Sequence, residues 1–426
     1  MTFDIKEDVL RRFLRYVQID TQSNEESESY PSTAKQFDLL DLLREELQAL
    51  GVEDVRQDEY GYVLATLPST LPERHPNAGR VPAIGFLAHV DTSPEVTGAN
   101  VRPQLIESYG GGIIVLPGDP EQRIDPAESP ALDDSVGHTI VTTDGTTLLG
   151  ADDKAGVAEI MTAVAYLMQH PEIPHGPVAI GFTPDEEVGR GTEYFDVEAF
   201  GAKYAYTMDG STAGVIQYET FSADQAIVTI HGRNQHPGYA KGKMVNAIKV
   251  AVAFISRLPN DHLSPETTSG YEGFIHPYVI EGGVEKTTIK LILRDFHDEK
   301  LVEYRSLLAG IAEEIEHTDE RVEIAVEFKE QYRNMRDTLN KVPHVVAYAE
   351  EAIRRAGLEP FSKPVRGGTD GSRLTEKGLP TPNIFTGMHN YHSPREWVSA
   401  DTMAKAVQTI VELVQVWAER GEPKTA

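Results

Sequence analysis

Apolar positions along this chain recur at two periods, and each change of period marks an element. Helical spacing of Val9, Phe13, Leu14 and Val17 predicts a helix over residues 5–18, which the polar stretch 20–29 breaks. A second helix is expected over 33–51, where Thr33-Ala-Lys-Gln36 fits a capping box and Gly51 a stop. Short continuous apolar runs at 62–67, 81–88, 178–183 and 204–208 read as strands buried on both faces, as in a parallel sheet. Between them, Val157, Ile160, Met161, Val164 and Leu167 form the buried stripe of a helix over 156–169. The Gly-, Pro- and acid-rich stretch 94–137 reads as a long loop, and loops of that size tend to be functional.

After Gly210 the pattern changes. Strand 225–230, helix 245–258, strands 274–281 and 286–295, helix 298–317 and strand 322–328 follow in the βαββαβ order of a ferredoxin-like domain. From about residue 334 the first domain resumes, with a helix over 342–356, the glycine loop Arg366-Gly-Gly-Thr-Asp-Gly-Ser372, a strand over 383–386 and a final helix over 400–419. The expected organisation is a discontinuous α/β domain of residues 1–211 and 334–426, interrupted by an α+β insertion of residues 212–333.

At 426 residues the chain is long enough for two domains with cores of their own. Its 67 acids against 39 bases leave a net charge of −28, which argues against nucleic acid and anionic membranes as partners. Solubility alone accounts for most of that excess. There is no cysteine, so disulfides, thiolate nucleophiles and Cys-type zinc sites are excluded. The N-terminus lacks a basic start followed by an apolar stretch, and no run of about 18 apolar residues occurs, so a soluble cytoplasmic protein is expected.

Four of the apolar runs end in potential metal ligands. They are Gly85-Phe-Leu-Ala-His89-Val-Asp91, the run from Ala179 to Glu186-Glu187, Tyr206-Thr-Met-Asp209, and the run from Ile384 through His389 to His392. Parallel strands align their carboxyl ends, so these groups converge on one edge of a sheet. A fifth segment, Leu148-Leu-Gly-Ala-Asp152-Asp153-Lys154, places acids just ahead of a helix, where they serve as a cap or as a carboxylate shared by two cations. Imidazole and carboxylate are the non-thiolate ligands of zinc. His89 and Asp91, two apart, point to one side of an extended chain, which suits one ligand and one orienting group. The adjacent Glu186 and Glu187 point in different directions, which suits a ligand beside a general base, and the buried strand before them favours a functional reading; two ligands or a solvated acidic turn are the alternatives. Asp185 has no assignable role. His236, Arg294 and Arg366 are candidates for holding an anionic group of a substrate.

These residues match a known pattern. His89-Val-Asp91-Thr, Gly150-Ala-Asp152-Asp-Lys-Ala-Gly, Thr183-Pro-Asp-Glu186-Glu187-Val-Gly-Arg-Gly191, Met208-Asp209-Gly and His389-Asn-Tyr-His392-Ser-Pro resemble the M20 family of zinc aminopeptidases and carboxypeptidases. The stretches 142–150, 236–247 and 366–371 are similar to its tripeptide-aminopeptidase branch. The resemblance covers nearly the whole chain. It implies a di-zinc aminopeptidase-like catalytic domain with a mixed sheet, and an inserted ferredoxin-like domain acting as lid and dimer interface. It places His89 and Asp209 on one zinc, Glu187 and His392 on the other and Asp152 between them, with Asp91 orienting His89 and Glu186 as general base. It also implies a cis peptide after Asp152, His236 reaching a substrate, and Arg294 partnering a substrate carboxylate. The implied activity is release of the N-terminal residue from short peptides, preferably tripeptides, by a homodimer. A dipeptidase or N-acyl amino acid amidohydrolase on the same core, or a metal-binding protein without catalysis, are the competing readings.

Overall fold

The computed structural model describes residues 3–423 and divides them into two compact units. Among the described residues the first comprises 3–218, 337–363 and 369–423, and the second 219–336 and 364–368.

The first unit is built on a mixed eight-stranded sheet, in the order Asp54–Gln57, Val63–Leu67, Val178–Thr183, Ile84–His89, Tyr204–Gly210, Asn383–Phe385, Val215–Gln217 and Phe361–Ser362. Its four central strands, Val178–Thr183 to Asn383–Phe385, are mutually parallel, so their carboxyl ends lie along one edge, as the apolar runs predict. Register is tight there: His89 stands opposite Thr183. Ile84–His89 and Val178–Thr183 are buried at every position, which is why they read as unbroken apolar runs.

The helix Ala151–Gln169 packs on the strands Ile84–His89 and Tyr204–Gly210, and the helices Ile5–Tyr16 and Ala400–Arg420 pack on it. It starts five residues before the expected position, because its first turn is kinked. Asp152 and Asp153 have non-helical dihedrals, and the peptide between them is cis. Gly156 lets this helix come close to the sheet, since a Cβ there would lie 2.0 Å from the Met208 carbonyl oxygen.

The stretch 94–137 departs from the expected structureless loop. Gln104–Ile106 pairs with Ile140–Thr142 in a small sheet completed by Trp397–Ser399 and Met388–His389, and Ile114–Val115 pairs with Arg123–Ile124. Tyr109, Ile114, Leu116, Ile124, Leu132, Ile140 and Trp397 form a core of their own beneath it. Strands of two and three residues are too short to show a period, so the sequence pattern misses them.

The second unit has the βαββαβ order, with Ser222–His231, Ala247–Ile255, Phe274–Gly282, Lys286–Asp295, Asp298–Thr318 and Glu323–Tyr332. Its four strands are antiparallel, with Phe274–Gly282 and Glu323–Tyr332 at the edges. Alternate residues of the central strands, such as Ile289, Leu291 and Leu293, join Phe254, Leu308 and Ile311 of the two helices in one core. The unit starts at residue 219 rather than 212, because Val215–Gln217 is paired in the large sheet. Residues 364–368 also belong to it, since Val365 bridges to Thr220.

Candidate metal centre and active site

Each strand end delivers its side chain to one cluster. His89 closes the strand Ile84–His89 and is buried. Its Nε2 lies 3.0 Å from Asp152 Oδ1 and 4.0 Å from Asp209 Oδ1, and its Nδ1 lies 3.1 Å from the Asp91 carbonyl oxygen and 3.4 Å from Asp91 Oδ1. The Asp91 carboxylate also accepts the backbone N–H groups of Glu186, at 2.9 Å, and Glu187, at 3.2 Å. One buried acid therefore sits against the histidine and fixes the acidic turn together.

His392 approaches from the other side. Its Nε2 lies 2.8 Å from Glu187 Oε2 and 3.5 Å from Asp152 Oδ2. Asp152 thus turns one oxygen to each imidazole. The His392 backbone takes a φ of 58°, and its Nδ1 lies 2.9 Å from Glu95 Oε2. A carboxylate on the far nitrogen fixes the tautomer that points Nε2 into the cluster. Glu95 is an exposed acid in an irregular segment, and no local signal in the sequence marks it. Replacing it by Gln is expected to weaken metal affinity about tenfold, the lower end of such partner effects, as read by metal titration of the apoprotein.

The acids after Val178–Thr183 now separate. Asp185 is buried with a φ of 58° and faces away from the histidines. It accepts bonds from Ser32 N at 2.6 Å, Ser32 Oγ at 2.5 Å and Gln36 Nε2 at 2.7 Å. It anchors the turn to the 32–36 segment. Asp185→Ala leaves two buried Ser32 donors without an acceptor and takes the nearest one from Gln36, and is expected to cost about 2–4 kcal/mol of stability by urea unfolding.

Electrostatically the cluster is a crowd of acids around two imidazoles. Burial, reinforced by Asp370, Asp209 and Glu187 and opposed by His89, lifts the Glu186 carboxyl well above its ordinary value. Burial and Asp152 push Glu187 up to about 7 against the pull of His392. Burial works against a charged His392, but Asp152 and Glu187 carry it up to about 11. Burial and Asp152 likewise raise Asp209 well above the carboxylate range. Such a set suits a multivalent cation. The donors are imidazole nitrogen and carboxylate oxygen only, and Glu187 Oε1 is buried with no hydrogen-bond partner among the described residues. His89, Asp152 and Glu187 offer three ligand atoms within 4.8 Å of one another, and so do His89, Asp153 and Asp209.

Two further acids lie in this neighbourhood, Asp153, which the sequence places only among the acids ahead of a helix, and Asp370, to which it gives no role. Asp153 accepts the His89 backbone N–H at 3.2 Å, and its Oδ1 is unpartnered. Asp370, beside the end of Val178–Thr183, accepts the Thr183 hydroxyl at 2.8 Å and is raised by burial to about 6. His389 stays outside the cluster, stacked 4.4 Å from Trp397, with burial lowering it to about 4.

The three residues expected to hold substrate lie in the second unit. His236 caps the turn Pro237–Tyr239, and its Nδ1 accepts Gly238 N–H at 3.1 Å, which leaves Nε2 as the donor. Arg294 donates to the carbonyls of Leu293 and Asp224 and lies 5.5 Å over the Tyr332 ring. Arg366 donates to the carbonyls of Gly270 and Glu272, at 2.8 and 2.7 Å, and lies 5.0 Å from the centre of the Phe221 ring. Its guanidinium thereby helps to hold residues 364–368 in place.

The sequence model of "Peptidase family M20/M25/M40" matches residues 139–416. The chain belongs to this family. It is 50% identical over 416 residues to "Peptidase T" of Geobacillus thermodenitrificans, an alignment that covers 98% of this chain and 100% of that one. Among solved structures, the aminopeptidase PepT from Bacillus cereus superposes with a TM-score of 0.73 at 25% identity, covering 96% of this chain and 98% of that one. A tripeptidase from Staphylococcus aureus superposes with a TM-score of 0.74 at 24% identity, covering 97% and 99%. This member of the family is therefore a peptide-hydrolysing enzyme with the family's two-part architecture.

Proposed function

We propose that the chain is an aminopeptidase that uses two zinc ions to hydrolyse the N-terminal residue from short peptides, tripeptides above others. The observation that carries the dinuclear reading is the placement of Asp152, with Oδ1 toward His89 and Oδ2 toward His392. A carboxylate set between two imidazoles would suit a ligand shared by two cations. His89 and Asp209 would complete one position, and Glu187 and His392 the other. Bound there, divalent ions supply Lewis acidity that activates water and polarises a carbonyl. The names of the relatives support peptides as substrates.

The polypeptide's own contributions follow from its geometry. Asp91 holds the His89 ring and, through two backbone N–H groups, the turn that presents both glutamates. Glu187 has His392 as its partner, which supports giving Glu186, the general base that the family resemblance implies, the work of moving protons. It takes the proton of the attacking water and returns it to the leaving amine. His236, with Nε2 as donor, is assigned to the carbonyl oxygen of the substrate, and Arg294 to its C-terminal carboxylate. Arg366 remains a candidate for an anionic group of the substrate, with its Nη1 also donating to the carbonyls of Gly270 and Glu272.

The second unit is assigned the roles of lid and homodimer interface, by likeness to the family. A cytoplasmic location agrees with the lack, among the described residues, of any helix long and apolar enough to cross a membrane. The test is a panel of di-, tri- and tetrapeptides and acetylated amino acids, offered to enzyme reconstituted with zinc, the products being identified by mass. Fastest release of the first residue from tripeptides is expected, with activity lost on chelation and regained with zinc. Preferred cleavage of acetylated amino acids would replace the reading with an amidohydrolase.

A further inference from the structure

Glu396 is a buried acid that neither the mechanism above nor the family motifs employ. Its Oε2 accepts the backbone N–H groups of Leu149 and Gly150, both at 2.7 Å, and its Oε1 accepts that of Asp152 at 3.0 Å. These are the donors at the start of the helix Ala151–Gln169, whose N-cap, Gly150, has no side chain to receive them. A helix start leaves several N–H groups unpaired, and a carboxylate there is favoured by charge as well as by hydrogen bonding. The acid that serves them comes from about 245 residues further along the chain, four positions after His392.

The location matters more than the cap. Ser393 O accepts Glu396 N–H at 3.2 Å, closing a tight turn directly after His392, and Trp397–Ser399 then enters the small sheet. One carboxylate therefore ties the segment that presents Asp152 to the segment that presents His392. Those two ligands, 3.5 Å apart at Asp152 Oδ2 and His392 Nε2, are the pair that only the two-cation reading requires to stay in register.

We propose that Glu396 is a positioning residue for the metal centre: by binding three backbone N–H groups around Asp152 from the His392 loop, it preforms the position shared by Asp152, Glu187 and His392 before any cation arrives. The inference rests on the dinuclear reading. Glu396→Gln is a narrow probe, because it keeps the volume of the side chain. An amide oxygen can still accept from Leu149 and Gly150, but its NH2 then faces the Asp152 N–H, donor against donor, just where the shared ligand is set.

The test is titration of metal-free wild type and Glu396→Gln with Co(II), read by calorimetry and by the visible absorption of the bound ion. Wild type is expected to take up two ions per chain. The variant is expected to bind the weaker of the two about 10–100-fold less tightly, with an altered absorption spectrum, a lower kcat and an unchanged KM. A variant whose two dissociation constants lie within twofold of wild type, with the same spectrum, overturns the inference even if its melting temperature falls, because it would then be a helix cap and nothing more. Wild type that takes up a single ion instead overturns the dinuclear reading, a separate result. Should the variant not fold, hydrogen exchange of metal-free wild type decides: slow exchange at the amides of residues 149, 150 and 152 supports a preformed site, and exchange at the rate of an open loop overturns it.

Discussion

Glu186→Gln is expected to retain its bound cations and to lose about 10²–10⁴ in kcat, the usual contribution of a positioned general base. The assignment of Glu186 as base rests on family resemblance, and the partners of the neighbouring acids agree with it. Asp152, Glu187 and Asp209 stand within ion-pair distance of an imidazole, and Asp91 is occupied by His89 and two backbone N–H groups. Glu186 is the remaining acid of the turn that faces the same crowd of charges, with Asp185 bound to Ser32 and Gln36 instead. Glutamine preserves its size and removes its capacity to accept a proton. Metal content by atomic absorption, measured beside kcat, separates a lost base from a lost ligand. A kcat within a few fold of wild type would move the proton transfer elsewhere.

The second large effect is expected at Asp152. Its two oxygens serve different imidazoles, so on the proposed two-cation reading Asp152→Asn would disturb both positions and Asp209→Asn one. Lewis acidity at such centres is worth several kcal/mol of barrier, so the rate should fall by roughly 10³-fold or more. Metal stoichiometry is expected to drop for both ions in Asp152→Asn and for one in Asp209→Asn. Two tightly held ions with a kcat within tenfold of wild type would rule out the bridging role.

What the sequence made legible is tied to how strands are built. His89 closes one largely buried parallel strand, Asp209 lies one residue from the end of another and Glu187 follows a third, so their convergence could be read from the apolar runs. Which glutamate binds and which moves the proton could not, because the turn after Thr183 is set by Asp91 accepting two N–H groups and by the left-handed backbone of Asp185. That assignment came from family resemblance. Glu95, Asp370 and Glu396 were invisible for a further reason. Each acts across a separation of 187 to 297 residues, on His392, Thr183 and the 149–152 turn, and no local period records such a pairing. Arg366 was chosen as a fork-shaped cation in a glycine loop, and the sequence carries no sign that its Nη1 donates to the carbonyls of Gly270 and Glu272.

The parallel strand Asn383–Phe385, which pairs with Tyr204–Gly210, lies beyond the whole second unit in the chain, and His392 follows it. During synthesis the inserted unit, nearly continuous from residue 219 to 336, can fold while the large sheet still lacks an inner strand. A product of early termination, ending before residue 383, would carry His89, Asp152, Glu187 and Asp209 but neither His392 nor Glu396. On the two-cation reading such a product would bind metal incompletely, so peptide hydrolysis is expected only from chains that extend past His392 and Glu396.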